Sequence, residues 1–439
     1  MHLFTPFPKK TFPLLPFLLY LSTTIVAQPL DDTSSGIGPR GSCLSCIYGS
    51  DGDEDCDGLP LNAIQDGPTT DESAGLGFEF ETSSIRFQSD HCNYEDTHQA
   101  KGKMVNGRSG INWKLTADFL DIGVLSAEYI LDGTQIKIGA STAEAAAKAV
   151  ADDIISWNPF ADMTDNKVSI TGNLCNPWTI FGGGTAGEVA TIQWSPQVTA
   201  PMPLQAIYEL FGQRTGSILL PKPTHANQNM VMVTKKFFQS NPNGMSSNDI
   251  QEDVLGFFSI IMTYAKAADK LDESGPKALM SIMPRTEFST IFKLVKSRVK
   301  GDLYEIVKVL ACYKSNENDV DLDSHYCSGT VESPTPNGQM DKQSFTLVMD
   351  DKGKQDSASV KDWMDSIQAG ISPDRLTEVD EVRNSQVGGL GKALENLLDS
   401  SQAAPLFEFR RLAKITASDL SDFASKVESA VIDFHKKYK

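Results

Sequence analysis

The sequence has little positive charge, little histidine and few long apolar runs. Only 39 Lys and Arg stand against 57 Asp and Glu, which gives a formal net charge of -18. Such an acidic chain repels nucleic acid and anionic membranes, so we expect neither as a partner. None of its six histidines has the H-E-x-x-H spacing, which argues against hydrolysis at a histidine-bound metal. Beyond residue 27 no segment is long and apolar enough to cross a bilayer.

The one pronounced apolar run lies at the N-terminus. Lys9 and Lys10 precede an apolar stretch over residues 12–26, which ends at the small Ala27. This is the pattern of a cleaved signal peptide over residues 1–27. A membrane anchor is the alternative, but two prolines interrupt the run, and it is short for a span of ~20 residues. We therefore predict an exported protein. Its charge is -20, because cleavage removes two lysines and no acid from a chain of charge -18.

Residues 28–74 have the composition of a solvated leader. They carry ten acids against one base, Arg40, with many Gly, Ser and Pro and little hydrophobic periodicity. A segment with so few apolar residues cannot build a core. We predict a disordered acidic leader that is dispensable for folding, followed by one folded domain over residues 75–439.

Seven cysteines in an exported chain predict up to three disulfides and one remaining thiol, with the pairing open. A zinc site at Cys43-x-x-Cys46 is an alternative, but the sequence lacks a second ligand pair at zinc-finger spacing. The exported chain has no Asn-x-Ser/Thr sequon, so we expect no N-glycans.

The stretch GFEFE (77–81) contains two acidic residues that alternate with two phenylalanines. In a strand, Phe78 and Phe80 point to one face, which suits a core, and Glu79 and Glu81 point to the other. Carboxylates about 7 Å apart on one face raise each other's pKa unless a cation lies between them.

Other segments repeat this alternation. Residues 190–200 include PQVT with Gln197, residues 405–412 (PLFEFRRL) carry Glu408 and Arg410, and residues 125–131 (LSAEYIL) place Glu128 in an apolar run. Each alone is compatible with an ordinary half-exposed strand. Together they predict an α+β domain with a mainly antiparallel sheet and one polar face, lined by Glu79, Glu81, Glu128, Gln197, Glu408 and Arg410.

Helices are predicted where a stretch lacks helix-breaking residues or has apolar residues at helical spacing. These are residues 142–157, 247–271, 285–313 with a break at Gly301, and a last helix that begins at Thr416 with a capping box.

These motifs resemble a known superfamily. GFEFE, the W-x-L-T-x-D of NWKLTAD (112–118), AEYI, PQVT and FEFRRL, followed by a long helix, occur in the order seen in the glutamate–cysteine ligase and amidoligase superfamily. The resemblance covers residues 75–437. It implies a glutamine-synthetase-like fold with a curved antiparallel sheet that binds Mg²⁺ and ATP. In such enzymes a phosphate passes to a carboxylate, and an amine then displaces it to form an amide.

The resemblance also implies roles for the acidic residues. Glu79, Glu81 and Glu128 would be magnesium ligands, and hard oxygen donors suit magnesium held with phosphates. Glu408 would be a further ligand or the group that orients Arg410.

Cationic and amide groups complete the implied site. Arg410 would neutralise phosphate charge in the transition state, and Gln197 would lie near the metals or the substrate. Lys277 and Arg285 would bind the cofactor. Arg285 has an equal alternative, which is a salt bridge at a helix start with Glu287 or another acid.

Two features of the sequence and the predicted export favour other interpretations. PQVT stands where the superfamily usually has H-V-H, and the glycine-rich loop at 181–187 lacks a following Lys-Ser/Thr. In addition, an exported ligase meets little ATP outside cells. On these interpretations the protein is a toxin-like effector that acts inside another cell, or a secreted binding protein that has lost the ligase activity. An ADP-ribosyltransferase also uses Glu-x-Glu, but there the pair normally comes late in the chain.

Overall fold

A computed structural model describes residues 74–157, 166–182, 188–222, 231, 234–235, 237–238, 251–266, 280–315, 320–322, 327–329, 334–336, 344–348, 355–370 and 393–439. The predicted signal peptide, the acidic leader up to residue 73 and Lys277 lie outside these residues. The part of the chain that is described is mixed α+β, as predicted.

The strands form one large sheet and several two-stranded hairpins. Those of the large sheet are β1 (Gly77–Gln88), β2 (Met104–Gly110), β3 (Trp113–Asp121), β4 (Val124–Leu131), β5 (Lys167–Val168), β6 (Trp178–Gly182), β7 (Ser195–Pro201), β8 (Ile282–Pro284), β15 (Leu394–Asn396) and β16 (Ala403–Phe409). The hairpin strands are β9 (Tyr313–Ser315), β10 (Val320–Leu322), β11 (Cys327–Gly329), β12 (Pro334–Pro336), β13 (Ser344–Val348) and β14 (Gln355–Ser359).

The large sheet has the order β15-β16-β7-β1-β4-β3-β2, with β6 beside β1, β5 beside β6 and β8 beside β16. Its described strand pairs are antiparallel. The predicted antiparallel sheet is therefore confirmed. Strand β1 lies at its centre and carries the GFEFE stretch.

The α-helices with described bounds are α1 (Tyr94–Gln99), α2 (Thr142–Ser156), α3 (Leu204–Gly212), α4 (Glu252–Lys266), α5 (Phe288–Val295), α6 (Leu303–Leu310), α7 (Val360–Ala369) and α8 (Leu420–Tyr438). The predicted break near Gly301 is confirmed, since α5 ends in a 3-10 turn and Gly301 has a φ of 104° before α6. The predicted capping box at Thr416 is also present. It opens a 3-10 turn that continues into α8.

Two sequence-based strand boundaries were wrong. Residues 190–194 were predicted as part of a strand, but residues 189–191 form a 3-10 turn and β7 begins only at Ser195. Strand β16 ends at Phe409, so Arg410 lies just after it. Neither shift moves Gln197 or Glu408 out of its strand.

The apolar face of the sheet packs against α8. Phe78 and Phe80 are fully buried, and the ring of Phe423 lies 6.4 Å from each of their centroids in edge-to-face geometry. Each aromatic ring removes a large apolar area from water, which makes this contact a main source of stability. As alternation predicted, the phenylalanines of GFEFE face the core, so the glutamates face away from it.

Among the described residues, Cys92 and Cys175 form a disulfide that joins the segment before α1 to the segment before β6, with a Cα–Cα distance of 5.3 Å. Disulfides persist mainly in oxidising compartments, so this bond is compatible with the predicted export. Within the described ranges, helices long and apolar enough to span a membrane are absent.

A buried histidine fixes α8 to the end of β7. His435 accepts the N–H of Leu398 at Nδ1 (3.0 Å) and therefore donates from Nε2 to the carbonyl of Pro201 (2.7 Å). Burial lowers the pKa of His435 from 6.5, and the hydrogen bond to Pro201 only partly offsets this effect. The neutral ring thus matches both partners, whereas a protonated Nδ1 would face a donor.

We expect this histidine to make stability fall on mild acidification. Its pKa in the folded state is lowered, so its contribution is present above the unfolded-state pKa of about 6.5 and is lost as pH falls below it. Urea unfolding between pH 5 and 8 measures this loss. His435→Gln should cost about 1–3 kcal/mol at pH 7.5 and flatten the pH dependence. An unchanged pH dependence in this variant would show that other groups cause it.

Candidate functional site

The register of the central strands brings the predicted polar residues to one side of the sheet. Glu81 of β1 lies directly opposite Glu128 of β4, and Glu79 lies opposite Gln197 of β7. Glu408 of β16 lies opposite Thr199, two residues along β7 from Gln197. Residues paired across an antiparallel ladder point to the same face. We call this side the polar face.

Three glutamates, Glu79, Glu81 and Glu128, form an acidic cluster at the β1–β4 part of the polar face. The Thr116 hydroxyl donates to Oε2 of Glu128 at 3.2 Å. The pKa of Glu128 lies well above its usual value of 4.5, first because of burial and then because of the charges of Glu79, Asp118 and Glu81. Glu128 as a whole is only partly buried, but burial of its carboxyl group is the largest cause of the raised pKa. The charges of the neighbouring acids thus add to the effect of burial on Glu128, and the charge of Lys101 opposes them only in part.

A second group, the buried triad of Arg285, Glu408 and Arg410, lies at the β16–β8 part of the same face. Glu408 is 0% exposed; Arg285 Nε lies 2.6 Å from its Oε2, and Arg410 forms an ion pair with its Oε1. The N–H of Arg285 Nε does not meet hydrogen-bond geometry to Glu408, so we count that contact as an ion pair. Nη1 of Arg410 also donates to Oε1 of Gln197 at 2.6 Å. Gln197 thus links the triad to the strand that carries Glu79.

Local pairing explains how Arg285 reaches Glu408. In the short strand β8, Met283 lies opposite Glu408, and the backbone N–H of Arg285 donates to the carbonyl of Leu406 at 2.8 Å. Arg285 is two residues from Met283 and therefore points to the same face.

Arg410 remains charged in this setting. Burial lowers its pKa, but the charges of Glu408, Glu79 and Glu81 and the hydrogen bond to Glu408 outweigh burial and raise the pKa overall. Its side chain is 18% exposed, against 2% for Arg285. Arg410 is thus the arginine of the triad that a ligand can reach.

The predicted site residues divide accordingly. Glu79, Glu81, Glu128, Gln197 and Arg410 share the polar face as expected. Glu408 was predicted as a metal ligand or as the group that orients Arg410, and its ion pairs with two arginines favour the second role. Arg285 pairs with another acid, the alternative to phosphate binding, but that acid is Glu408 and not the adjacent Glu287. Lys277 lies outside the described residues.

The acidic cluster suits magnesium in the type of ligand atom that it offers, which is carboxylate oxygen. Clustered carboxylates are the oxygen ligands that magnesium uses, and a cation would relieve the repulsion that, after burial, raises the pKa of Glu128. Across the described ranges, however, no three His, Cys, Asp or Glu side chains are arranged as a metal-holding group. Cation binding would therefore require the glutamates to turn toward a shared point.

Sequence reasoning missed two polar neighbours of the site. Thr116 lies inside the W-x-L-T-x-D motif, so its position carried a signal. Tyr264 carried none, because it is one polar residue on the buried side of an apolar helix. Its ring packs 5.1 Å from Phe288 and 6.2 Å from Trp363. Burial, followed by the charge of Glu408, raises its pKa well above 10, although Arg285 and Arg410 oppose the shift.

Comparison of the chain with protein-family models, curated proteins and solved structures gave no match. The fold and the site geometry are thus the structural basis for a functional assignment.

We expect Glu128→Gln to stabilise the protein without added metal. The pKa of Glu128 is raised in the folded state. The contribution of Glu128 to stability is therefore greatest below the unfolded-state pKa of about 4.3 and is lost as pH rises through the folded-state pKa. The amide still accepts from Thr116 but carries no charge. Urea unfolding should show a gain at pH 7 and little difference near pH 4. The control is the exposed Glu188→Gln, which should change stability little at either pH. A loss of stability at pH 7 in Glu128→Gln would contradict this account.

Proposed function

We propose that the polar face carries out ATP- and magnesium-dependent carboxylate–amine ligation on a small-molecule, peptide or protein acceptor. The observation that carries the proposal is the juxtaposition, on one sheet face, of an acidic cluster and an oriented, ligand-accessible arginine. The ordered motifs that resemble the amidoligase superfamily lie on the same strands and support the proposal.

The acidic cluster and Arg410 have complementary roles in it. Glu79, Glu81 and Glu128 would hold Mg²⁺, which with ATP supplies the activating phosphoryl group for the carboxylate. Arg410 binds the anionic part of the ligand and neutralises the negative charge that builds up in the transition state. Gln197 keeps Arg410 on the polar face by accepting its N–H. Glu408 orients Arg410 and is not a metal ligand.

The predicted export restricts where such chemistry is useful. ATP is scarce outside cells, so an exported ligase acts as a toxin-like effector after entering another cell. Its substrates are a carboxylate and an amine, and the acidic surface that repels nucleic acid and anionic membranes argues against those as partners.

A second candidate function is that of a secreted, non-catalytic binding protein on the same scaffold. Two observations favour it. PQVT replaces the H-V-H of the resembled superfamily, and the glutamates of the described sheet do not converge on one metal position. This protein would bind a ligand at the polar face without turnover.

Thermal unfolding of the purified exported chain tests the proposal. Magnesium or manganese, with and without ATP, should raise the melting temperature, because a ligand at a hundredfold excess over its Kd stabilises the native state by ~2.7 kcal/mol. Glu79→Gln with Glu81→Gln should abolish the metal response. Arg410→Ala should weaken the ATP response and leave the metal response mostly intact.

The outcomes separate the two candidates. ATP-dependent phosphate release that requires both a carboxylate and an amine supports ligation. Binding of metal and ATP without such release supports the non-catalytic protein. A melting temperature that neither metal nor ATP changes would contradict ligation.

A further inference from the structure

A β-bulge interrupts β1 next to the acidic cluster. Two adjacent residues of β4 pair with Thr82 and Arg86, so residues 83–85 of β1 have no counterpart in β4. The Thr82 hydroxyl fixes the bulge, because it donates to the carbonyl of Gln193 at 3.0 Å and accepts the N–H of Ser84 at 3.2 Å. Bulges redirect side chains and are common beside active sites. The residue that follows this bulge is Arg86.

The register places Arg86 on the polar face. Arg86 lies opposite Ser126 of β4, which is two residues from Glu128. Residues that pair across a ladder, or that lie two apart in one strand, share a face. Ile85 and Phe87, on either side of Arg86, are fully buried in the core. Arg86 therefore projects from the polar face, and its row of paired residues lies about 7 Å from the row of Glu128.

The guanidinium of Arg86 is held in place without being neutralised. Its Nε donates to the carbonyl of Ser83, within the bulge, at 2.8 Å. In the described part of the chain this is the one hydrogen bond of the side chain, and Arg86 forms no ion pair there. The acid in its row, Asp118 of β3, pairs with Lys101 at 3.4 Å. Arg86 is partly exposed, so its two Nη groups are available to an anion.

Phe181 of β6 gives Arg86 an apolar neighbour. It lies directly opposite Arg86 on the other side of β1 from Ser126, and it is partly exposed. Because the two residues are paired, Phe181 also projects from the polar face. A guanidinium beside an aromatic ring suits a ligand in which an anionic group is attached to a hydrocarbon segment, since each part then has its own partner.

Arg86 and Arg410 lie at different ends of the acidic cluster. Gln197, which accepts an N–H of Arg410, is in the row of Glu79. The row of Glu81 comes next along β1, and the row of Arg86 follows it. Ligation requires two anionic ligands, ATP and a carboxylate, and carboxylates of the protein repel both. The two arginines give each anion a cationic partner beside the cluster.

We propose that Arg86 is a substrate-binding residue that forms a bidentate pair with the carboxylate substrate, while Phe181 contacts the hydrocarbon part of that substrate. A planar guanidinium with two Nη groups available matches the two oxygens of a carboxylate. Arg410 then serves the phosphate. The choice of a carboxylate for Arg86 rests on the proposed function, whereas the oxyanion site itself does not.

Calorimetric titration of the purified exported chain with succinate, and separately with pyrophosphate in the presence of manganese, tests this assignment. Arg86→Met should weaken succinate binding about tenfold, or about 1.4 kcal/mol, and leave pyrophosphate binding unchanged. Arg410→Ala should give the reverse pattern. Arg86→Lys should recover only part of the succinate affinity, because an ammonium group keeps the charge but not the planar fork. Equal losses of both ligands in Arg86→Met would contradict a separate carboxylate site.

Two further variants complete the titration. Arg214→Met is the matched control, because it removes an exposed arginine from the loop after α3 and should change neither affinity. Phe181→Ala should weaken binding of 3-phenylpropionate more than binding of succinate, because 3-phenylpropionate has the larger apolar part. Equal losses for the two carboxylates would show that Phe181 does not contact the hydrocarbon segment.

Chemical modification of the wild type keeps the test decisive if Arg86→Met does not fold. Phenylglyoxal reacts with accessible guanidinium groups, and peptide mapping identifies the modified arginine. Succinate should protect Arg86 and leave Arg214 reactive. Protection of Arg86 by pyrophosphate but not by succinate would identify a phosphate site and contradict the carboxylate assignment. If neither anion protects Arg86, the oxyanion site is wrong.

Activity measurements separate failure of this assignment from failure of the proposed function. If succinate protects Arg86 but no pair of carboxylate and amine causes ATP-dependent phosphate release, the proposed function fails and the oxyanion site stands. If such release occurs and Arg86→Met leaves the KM for the carboxylate unchanged, the proposed function stands and the role of Arg86 is wrong.

Discussion

The alternation of side chains along β1, locked in register with β4 and β7, is the constraint on which the site depends. Phe78 and Phe80 can bury their rings against Phe423 only if Glu79 and Glu81 project from the other face. A slip of one residue would expose the rings and bury the carboxylates, which makes the register strongly specified. Packing of the phenylalanines in the core therefore determines that the acidic cluster lies on the opposite face of the sheet.

Opposite charges that lie close together are the second property of the polar face. The charges of Glu79 and Glu81 contribute to the raised pKa of Arg410, so the acidic cluster and the buried triad interact. Glu408 pairs with both Arg285 and Arg410, and Gln197 accepts an N–H of Arg410, which fixes the position of the Arg410 guanidinium. Charged groups that are held in place before binding are preorganised for a ligand that contains a cation and an anion.

The sequence was sufficient for features set by short-range periodicity. The strands of Glu79, Glu128, Gln197 and Glu408, their apolar faces and the capping box at Thr416 were predictable, because each depends on residues within one element. A shared polar face followed from assuming that strands of the same design join one sheet.

Features set by distant pairing were not predictable. The contact of Arg285 with Glu408 joins residues 123 positions apart in the sequence, whereas Glu287 lies only two residues from Arg285 and was the more obvious acid. That contact requires the short strand β8 to pair with β16, and three residues carry too little periodicity to predict such pairing. Tyr264 was missed for a different reason, because a single tyrosine within the apolar helix α4 gives no periodic signal.

The central claim is that the acidic cluster, and not Glu408, is the cation site of the polar face. Anomalous diffraction from crystals grown with manganese tests this claim most directly, because it locates the metal without reference to activity. We predict a peak within about 2.0–2.3 Å of carboxylate oxygens of Glu79, Glu81 and Glu128, with Glu408 still paired to both arginines. A peak at Glu408, or well-ordered crystals without a peak at the cluster at saturating manganese, would contradict the account.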